Sequence, residues 1–160
     1  MAKGDVVRFD AAHGFRLAGT VDVVASNWKI ALLSVGVDVI TKAESDPRRG
    51  LGNLTEVTPG GNYPAGGVLL TLANTNAAGV YTQKLNTGVH SSGQIVIAQH
   101  ASNPTNAKTA LLYDDDAPSN NATHFWDLTL DGGTTAVDMT AGPLTLDFTT
   151  GPGEICVWPA

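Results

Sequence analysis

The hydrophobic and polar positions of this chain alternate in short runs, and almost nowhere do they recur at helical spacing. Val6-Val7-Arg8-Phe9 is the first run with strand character, Thr20-Val21-Asp22-Val23-Val24 the second, and Trp28-Lys29-Ile30-Ala31-Leu32-Leu33 the third. The third is apolar at nearly every position, the pattern of a strand buried on both faces. Val35 to Thr41 places Val35, Val37 and Val39 on one face, which fits a strand or a loop. Val68 to Leu72, Val80 to Leu85, Gln94 to Gln99 and Thr109 to Tyr113 read as further strands. In His124 to Leu130, Trp126, Leu128 and Leu130 fall on one face and Phe125, Asp127 and Thr129 on the other, the alternation of a half-buried strand with Asp127 toward solvent. Leu144, Leu146 and Phe148 alternate with Thr145, Asp147 and Thr149, and Ile155 to Trp158 closes the series. Val137-Asp138-Met139 is read as extended.

Turn chemistry fills the intervals. Asp46-Pro47-Arg48-Arg49-Gly50 centres one loop, and Pro59-Gly60-Gly61-Asn62-Tyr63-Pro64-Ala65-Gly66-Gly67 forms a tight, glycine-dense one after the short Thr55-Glu56-Val57. Ala73 to Gly79, Asn86 to Gly93 and His100 to Ala107 are polar loops, with one helical turn expected after Pro104. Asp114 to Asn121 is an acidic, hairpin-like loop, and Asp131-Gly132-Gly133, Ala141-Gly142-Pro143 and Gly151-Pro152-Gly153 are turns. Many short strands with a turn every few residues predict an all-β fold, an antiparallel sandwich or barrel-like domain. Residues 1–27 are patterned more loosely and are expected to be an N-terminal strand or extended arm; residues 28–160 are expected to be a single β-rich domain.

Composition changes this picture in two ways. Charged residues make up only 15% of the 160-residue chain, against about a quarter in an average globular domain. Polarity comes instead from Thr, Asn, Ser and Gly, so the surface is built for hydrogen bonding rather than ion pairing. The net charge is −6 with no basic stripe, Arg48-Arg49 being the nearest approach. Phosphate recognition needs several clustered cations, so no nucleic-acid partner is expected. No basic start leads into an apolar run at the N-terminus, so no signal peptide is read there. The longest apolar stretch, near Ile30 to Ile40, is broken by Ser34, Gly36 and Asp38. It falls short of the roughly 20 residues of a membrane-spanning helix, and no membrane partner is expected.

The candidate chemistry is thin. Asp114-Asp115-Asp116 is the most concentrated set of oxygen donors. However, neighbouring side chains on an extended segment point to opposite faces, and the spaced acidic pattern of a calcium loop is missing. A solvated turn is the expectation there, with a structural cation as the alternative. His13, His90, His100 and His124 are scattered, in none of the spacings that hold zinc, and are expected at the surface or partly buried. Cys156, the single cysteine, permits no intrachain disulfide and reads as a small buried hydrophobe. Glu44, Glu56 and Glu154 sit in or beside turns, and only Asp127 is placed for a cleft. Neither a serine nucleophile elbow nor a phosphate-binding loop occurs. Trp28, Trp126 and Trp158 with Tyr63, Tyr81 and Tyr113 offer material for a sugar-stacking platform, but their apolar settings predict core packing. No catalytic, cofactor-binding or metal-binding residue is therefore assigned, no cofactor is expected, and the chain is expected not to be an enzyme.

Three segments in order carry a family resemblance. They are Leu54-Thr55-Glu56-Val57 followed by Gly61 to Val68; Ala101-Ser102-Asn103-Pro104-Thr105-Asn106-Ala107-Lys108 leading to Leu111-Leu112-Tyr113-Asp114; and Val137 to Leu146. Together with the Trp28 to Leu33 strand and the Asp46-Pro47-Arg48 turn, they resemble small virion proteins of tailed bacteriophages, of the head-decoration or head-accessory type. The likeness covers roughly residues 28–149. It implies a β-rich fold, synthesis in the host cytoplasm and a final place on the capsid surface of the virion. It further implies the major capsid protein as partner and a homo-oligomer, most often a trimer. It carries over no active site. The alternative within the virion is a tail- or fibre-associated protein that binds host-surface glycans.

Overall fold

The computed structural model describes residues 6–23, 27–77, 80–86, 88–90, 93–116, 120–129, 134–148 and 154–158; of 154–158 it describes the backbone. Its elements in chain order are β1 (Val6–Arg8), α1 (Ala11–Leu17), β2 (Trp28–Leu33), β3 (Val68–Leu69), β4 (Thr75–Ala77), β5 (Val80–Lys84), β6 (Gln94–Ile97), β7 (Thr109–Asp114), β8 (Ala122–Asp127), β9 (Leu144–Asp147) and β10 (Glu154–Trp158). Every paired strand is antiparallel. The chain is thus mostly β, a sandwich-like arrangement of antiparallel sheets as the alternation predicts.

The largest sheet has the order β1-β8-β7-β2-β3. β2 and β7 pair along their whole length, from Trp28 opposite Asp114 to Leu33 opposite Thr109. Both strands are apolar at nearly every position because both sheet faces are covered. Beyond β3, the outer edge of β2 continues into the segment around Glu56, where Val57 N–H donates to Leu32 O at 2.9 Å. The second sheet has the order β10-β5-β4, and β6 and β9 form a separate two-stranded ribbon.

Of the two N-terminal readings, strand or extended arm, Val6–Arg8 forms the strand. β1 is hydrogen-bonded to β8, and Phe9 is fully buried with its ring 4.9 Å from that of Phe125. Val21 and Val23 are buried too. Thr20 to Val23 makes turns rather than the expected strand, and residues 24–26 lie outside the described residues. α1 was not foreseen. It is under two turns long, carries Gly14 in its middle, and has no side-chain cap from Asp10. Burial of Ala12 and partial burial of Phe15 hold it against the sheet, as tertiary packing commonly does for a helix too short to stand alone.

Two further differences concern loops. β4 lies in the stretch read as a polar loop, Ala73 to Gly79, because Asn76 and its neighbours gain partners on β5. The segment after Pro104 is a bend instead of a helical turn: Asn103 N–H donates to His100 O and Met139 N–H donates to Pro104 O, so the backbone is tied to another loop. The turns read at Ser91-Ser92, Asp131 to Gly133 and Gly151 to Gly153 lie outside the described residues.

Candidate functional site

The polar side chains concentrate in two adjoining networks around the glycine-dense loop 59–67. In the first, the phenol of Tyr63 is buried in the sheet edge. Leu32 N–H donates to it at 2.8 Å, and the phenol itself donates to Glu56 Oε1 at 2.7 Å. Glu56 Oε2 accepts from Arg49 Nη1 at 2.9 Å and from Gly66 N–H at 3.2 Å. The Arg49 guanidinium lies 4.9 Å from the centre of the Tyr113 ring, a cation over the electron-rich face. The Tyr113 hydroxyl faces Gly66 O and, at 3.1 Å, Asp115 Oδ1. Asp115 Oδ2 closes the chain with Lys29 Nζ at 2.6 Å.

These contacts fix the protonation states. Burial pushes the Tyr63 hydroxyl far above its ordinary range, and the neighbouring Glu56 carboxylate pushes it the same way. Tyr113 is raised chiefly by burial, against the opposing pull of Arg49. Burial would raise Asp115, but the hydrogen bonds from Lys29 and Tyr113 outweigh it and hold the carboxyl below its usual value. Both phenols therefore remain protonated donors, and Asp115 remains an anion in an ion pair. A general base or nucleophile needs a group poised to exchange a proton near the working pH, and neither phenol is so poised.

The second network centres on Asn103, which is only 4% exposed. Its Oδ1 accepts from Asn62 N–H at 2.7 Å, and its Nδ2 donates to Ala98 O at 2.8 Å and to Met139 O at 3.1 Å. Asn62 Nδ2 in turn reaches Ala98 O and Gln99 O. The glycines are required by this closeness. A Cβ on Gly61 would fall 2.4 Å from Asn103 Oδ1, and one on Gly67 would fall 2.1 Å from Ile30 O, with φ already at +81°. They let two backbones touch, as turn and close-approach glycines do.

The acidic run is organised differently from a solvated turn. Asp114 is buried, with Oδ2 accepting from Asp22 N–H at 3.3 Å and Oδ1 from Asp116 N–H at 3.0 Å. Asp116 accepts two hydrogen bonds from Asn27, one from its backbone and one from its side chain, each at 2.8 Å. Protein donors thus occupy all three carboxylates, and the run fastens the connection before β2 to the end of β7. Among the described residues no group of three or more His, Cys, Asp or Glu comes together as a metal site.

Other expectations are corrected by burial. Asp127 does not face solvent: it is 1% exposed, and its Oδ1 accepts from both the N–H and the hydroxyl of Thr129. The alternation of β8 misleads because both faces are covered, Phe125 packing on Phe9 and Trp126 on Phe148. His124 is buried rather than peripheral, while His13 and His100 are exposed. His90 Nε2 accepts from Thr71 N–H at 2.9 Å, and burial lowers its pKa. Trp28, Trp126, Tyr63, Tyr81 and Tyr113 are buried, as the core reading of the aromatics expects. Cys156 and Trp158 lie in β10, whose side chains are outside the described residues. Sequence reasoning missed the roles of Glu56 and Asn103. The only signal for either was a polar residue set between apolar or turn residues, which loops show everywhere.

No family model, curated protein or solved structure matches this chain. Its function therefore rests on its own residues.

Proposed function

We propose that this chain is a bacteriophage capsid decoration, or cement, protein: a non-enzymatic homotrimer on the outer capsid surface that strengthens contacts between copies of the major capsid protein. The observation that carries the reading is the convergence of the three segments behind the family resemblance. The glycine loop supplies Asn62, the second segment supplies Asn103 and the third supplies Met139, and all three are hydrogen-bonded through the one Asn103 side chain. Val137 N–H donates to Ala107 O at 2.7 Å beside them, and Gly66 meets Tyr113. Residues between 62 and 139 are thus joined in one hydrogen-bonded framework, which supports reading the three segments as one unit.

The physical task of such a protein is to add interface area against internal pressure. Interfaces draw on shape complementarity and about one hydrogen bond per 100–200 Å² rather than on any catalytic group, which suits a surface rich in Thr, Asn and Ser. The Tyr63 and Tyr113 phenols stay protonated and the Asp115 carboxyl stays ionised, and the tryptophans that favour a glycan-binding tail protein, Trp28 and Trp126, are inside the sheet. The test is co-sedimentation of purified protein with expanded capsids of the parent phage. Saturable binding at a fixed ratio to coat subunits is expected. Protein left in the supernatant at every concentration would overturn the reading.

A further inference from the structure

An acid-rimmed apolar socket lies beside the N-terminal helix. Its volume is about 230 Å³, and its lining includes Phe9, Ile40 and Leu54 below with Val39 and Leu51 at the mouth. Val39 and Leu51 are about half exposed, so an apolar surface is left open to water there. The space is below the roughly 300–1,000 Å³ of sites that enclose a small-molecule ligand. It suits one aliphatic side chain. Glu44 stands at the rim, exposed and without a side-chain partner among the described residues. The other rim carboxylate, Asp46, is engaged by Arg48 at 2.6 Å.

The same molecule carries a matching projection. Leu17, at the C-terminal end of α1, is 75% exposed, more than any other large apolar side chain described. Arg16 precedes it in the last helical turn and brings positive charge to that end. Leu17 is not part of the socket lining. Phe9 at the socket floor precedes α1, and seven helical residues span about 10 Å. Knob and socket are therefore set apart on one chain, each with its apolar surface uncovered.

We infer that Leu17 of one copy of this chain inserts into the Phe9–Ile40–Leu54 socket of a second copy, with the cationic end of α1 facing Glu44. A surface knob complementary to a pocket elsewhere on the same molecule gives a head-to-tail contact that repeats from copy to copy, and a closed ring of three is the form that agrees with the proposed trimer. The contact would be the buried anchor of a larger interface, since a few central apolar residues carry most of the binding energy in such surfaces. The inference deepens the self-association part of the proposed function. Its test uses no capsids, so failure to bind capsids and failure to self-associate are told apart.

The experiment is light scattering on size-exclusion fractions of the full chain over a wide concentration range. The wild-type protein is expected to form an oligomer. Leu17→Asp and Leu51→Asp, each checked for wild-type circular dichroism, are each expected to raise the apparent dissociation constant at least tenfold and to run as monomers. Leu17→Ala and Leu51→Ala serve in place of an aspartate variant that does not fold. Mixing the knob variant with the socket variant leaves one intact knob and one intact socket, and a 1:1 heterodimer is expected. A wild-type monomer at all concentrations, folded variants that keep the wild-type mass, or monomeric variants that do not pair when mixed would each overturn the inference.

Discussion

The β2-β7-β8 centre of the large sheet and the β6-β9 ribbon are both built from antiparallel strands, yet they read oppositely. In the ribbon, Ile95, Ile97, Leu144 and Leu146 are buried while Val96, Thr145 and Asp147 are exposed, so burial alternates by face whatever the residue type. In β7 and β8 every residue is buried, including Thr109, Asp114, Thr123, His124 and Asp127. A half-covered sheet sorts its positions by face. A doubly covered one accepts polar residues largely where hydrogen bonds receive them, as at Thr109 Oγ1 and Asp127 Oδ1, while Asp127 Oδ2 is left buried without a partner among the described residues, which costs free energy.

The largest expected break between the two regions comes from removing a leucine. Leu111, in the middle of β7, is fully buried, whereas Leu146 on β9 is 8% exposed at the margin of the core. Leu111→Ala is expected to cost about 4 kcal/mol and Leu146→Ala about 2 kcal/mol, both within the roughly 2–5 kcal/mol usual for a buried leucine. The difference arises because a site between two covered faces collapses less around the cavity. Urea denaturation of both variants measures it. Equal losses would mean that the ribbon is as tightly packed as the centre.

What was legible in the sequence follows the same division. Trp28–Leu33 was read as a buried strand with the bounds it has, and the alternation of Leu144, Leu146 and Phe148 announced β9. Burial there depends on apolar type alone. β8 was found, but the face that carries Phe125 and Asp127 is buried, and Phe9, distant in sequence, packs on Phe125. α1 left no periodic signal, since seven residues with a glycine present one buried alanine and one half-buried phenylalanine. The polar networks were the least legible part. Nothing local to Glu56 announces that Arg49, Tyr63 and Gly66 will meet it, and nothing local to Asn103 announces Asn62 and Met139.

A second contrast is expected in acid. His124 in β8 is held neutral by burial, with Arg8 on β1 opposing its protonation as well, and its pKa is lowered from 6.5 to about 3. Between those values the unfolded chain binds the proton and the folded chain does not, so stability falls as pH drops below 6.5. From pH 7 to 5 the loss is about 2 kcal/mol, at about 1.4 kcal/mol per pH unit below 6.5. His90, whose pKa burial also lowers, adds in the same direction. The depressed pKa of Asp115 makes a contribution that is lost only at still lower pH, below the usual carboxylate range. Chemical denaturation of His124→Asn at pH 7 and pH 5 should show a clearly flatter dependence than the wild type. An unchanged slope would mean that His124 becomes protonated without leaving the fold.

The finest test applies one substitution to both regions. Thr109 in β7 is fully buried, and its hydroxyl donates to Val35 O at 2.7 Å, whereas Thr145 in β9 faces solvent. Threonine and valine have nearly the same shape, so Thr→Val removes a hydrogen bond without opening a cavity. At position 109 it leaves the Val35 carbonyl without that donor, and about 1.5 kcal/mol is expected to be lost. At position 145 the hydroxyl has water to replace, and the change is expected within about 0.5 kcal/mol of zero, with either sign. Thermal or urea unfolding of the two variants reads the difference. A neutral Thr109→Val would show that the centre of the sheet holds its polar residues by packing, and the contrast between a sorted ribbon and a hydrogen-bonded centre would then reduce to one of depth alone.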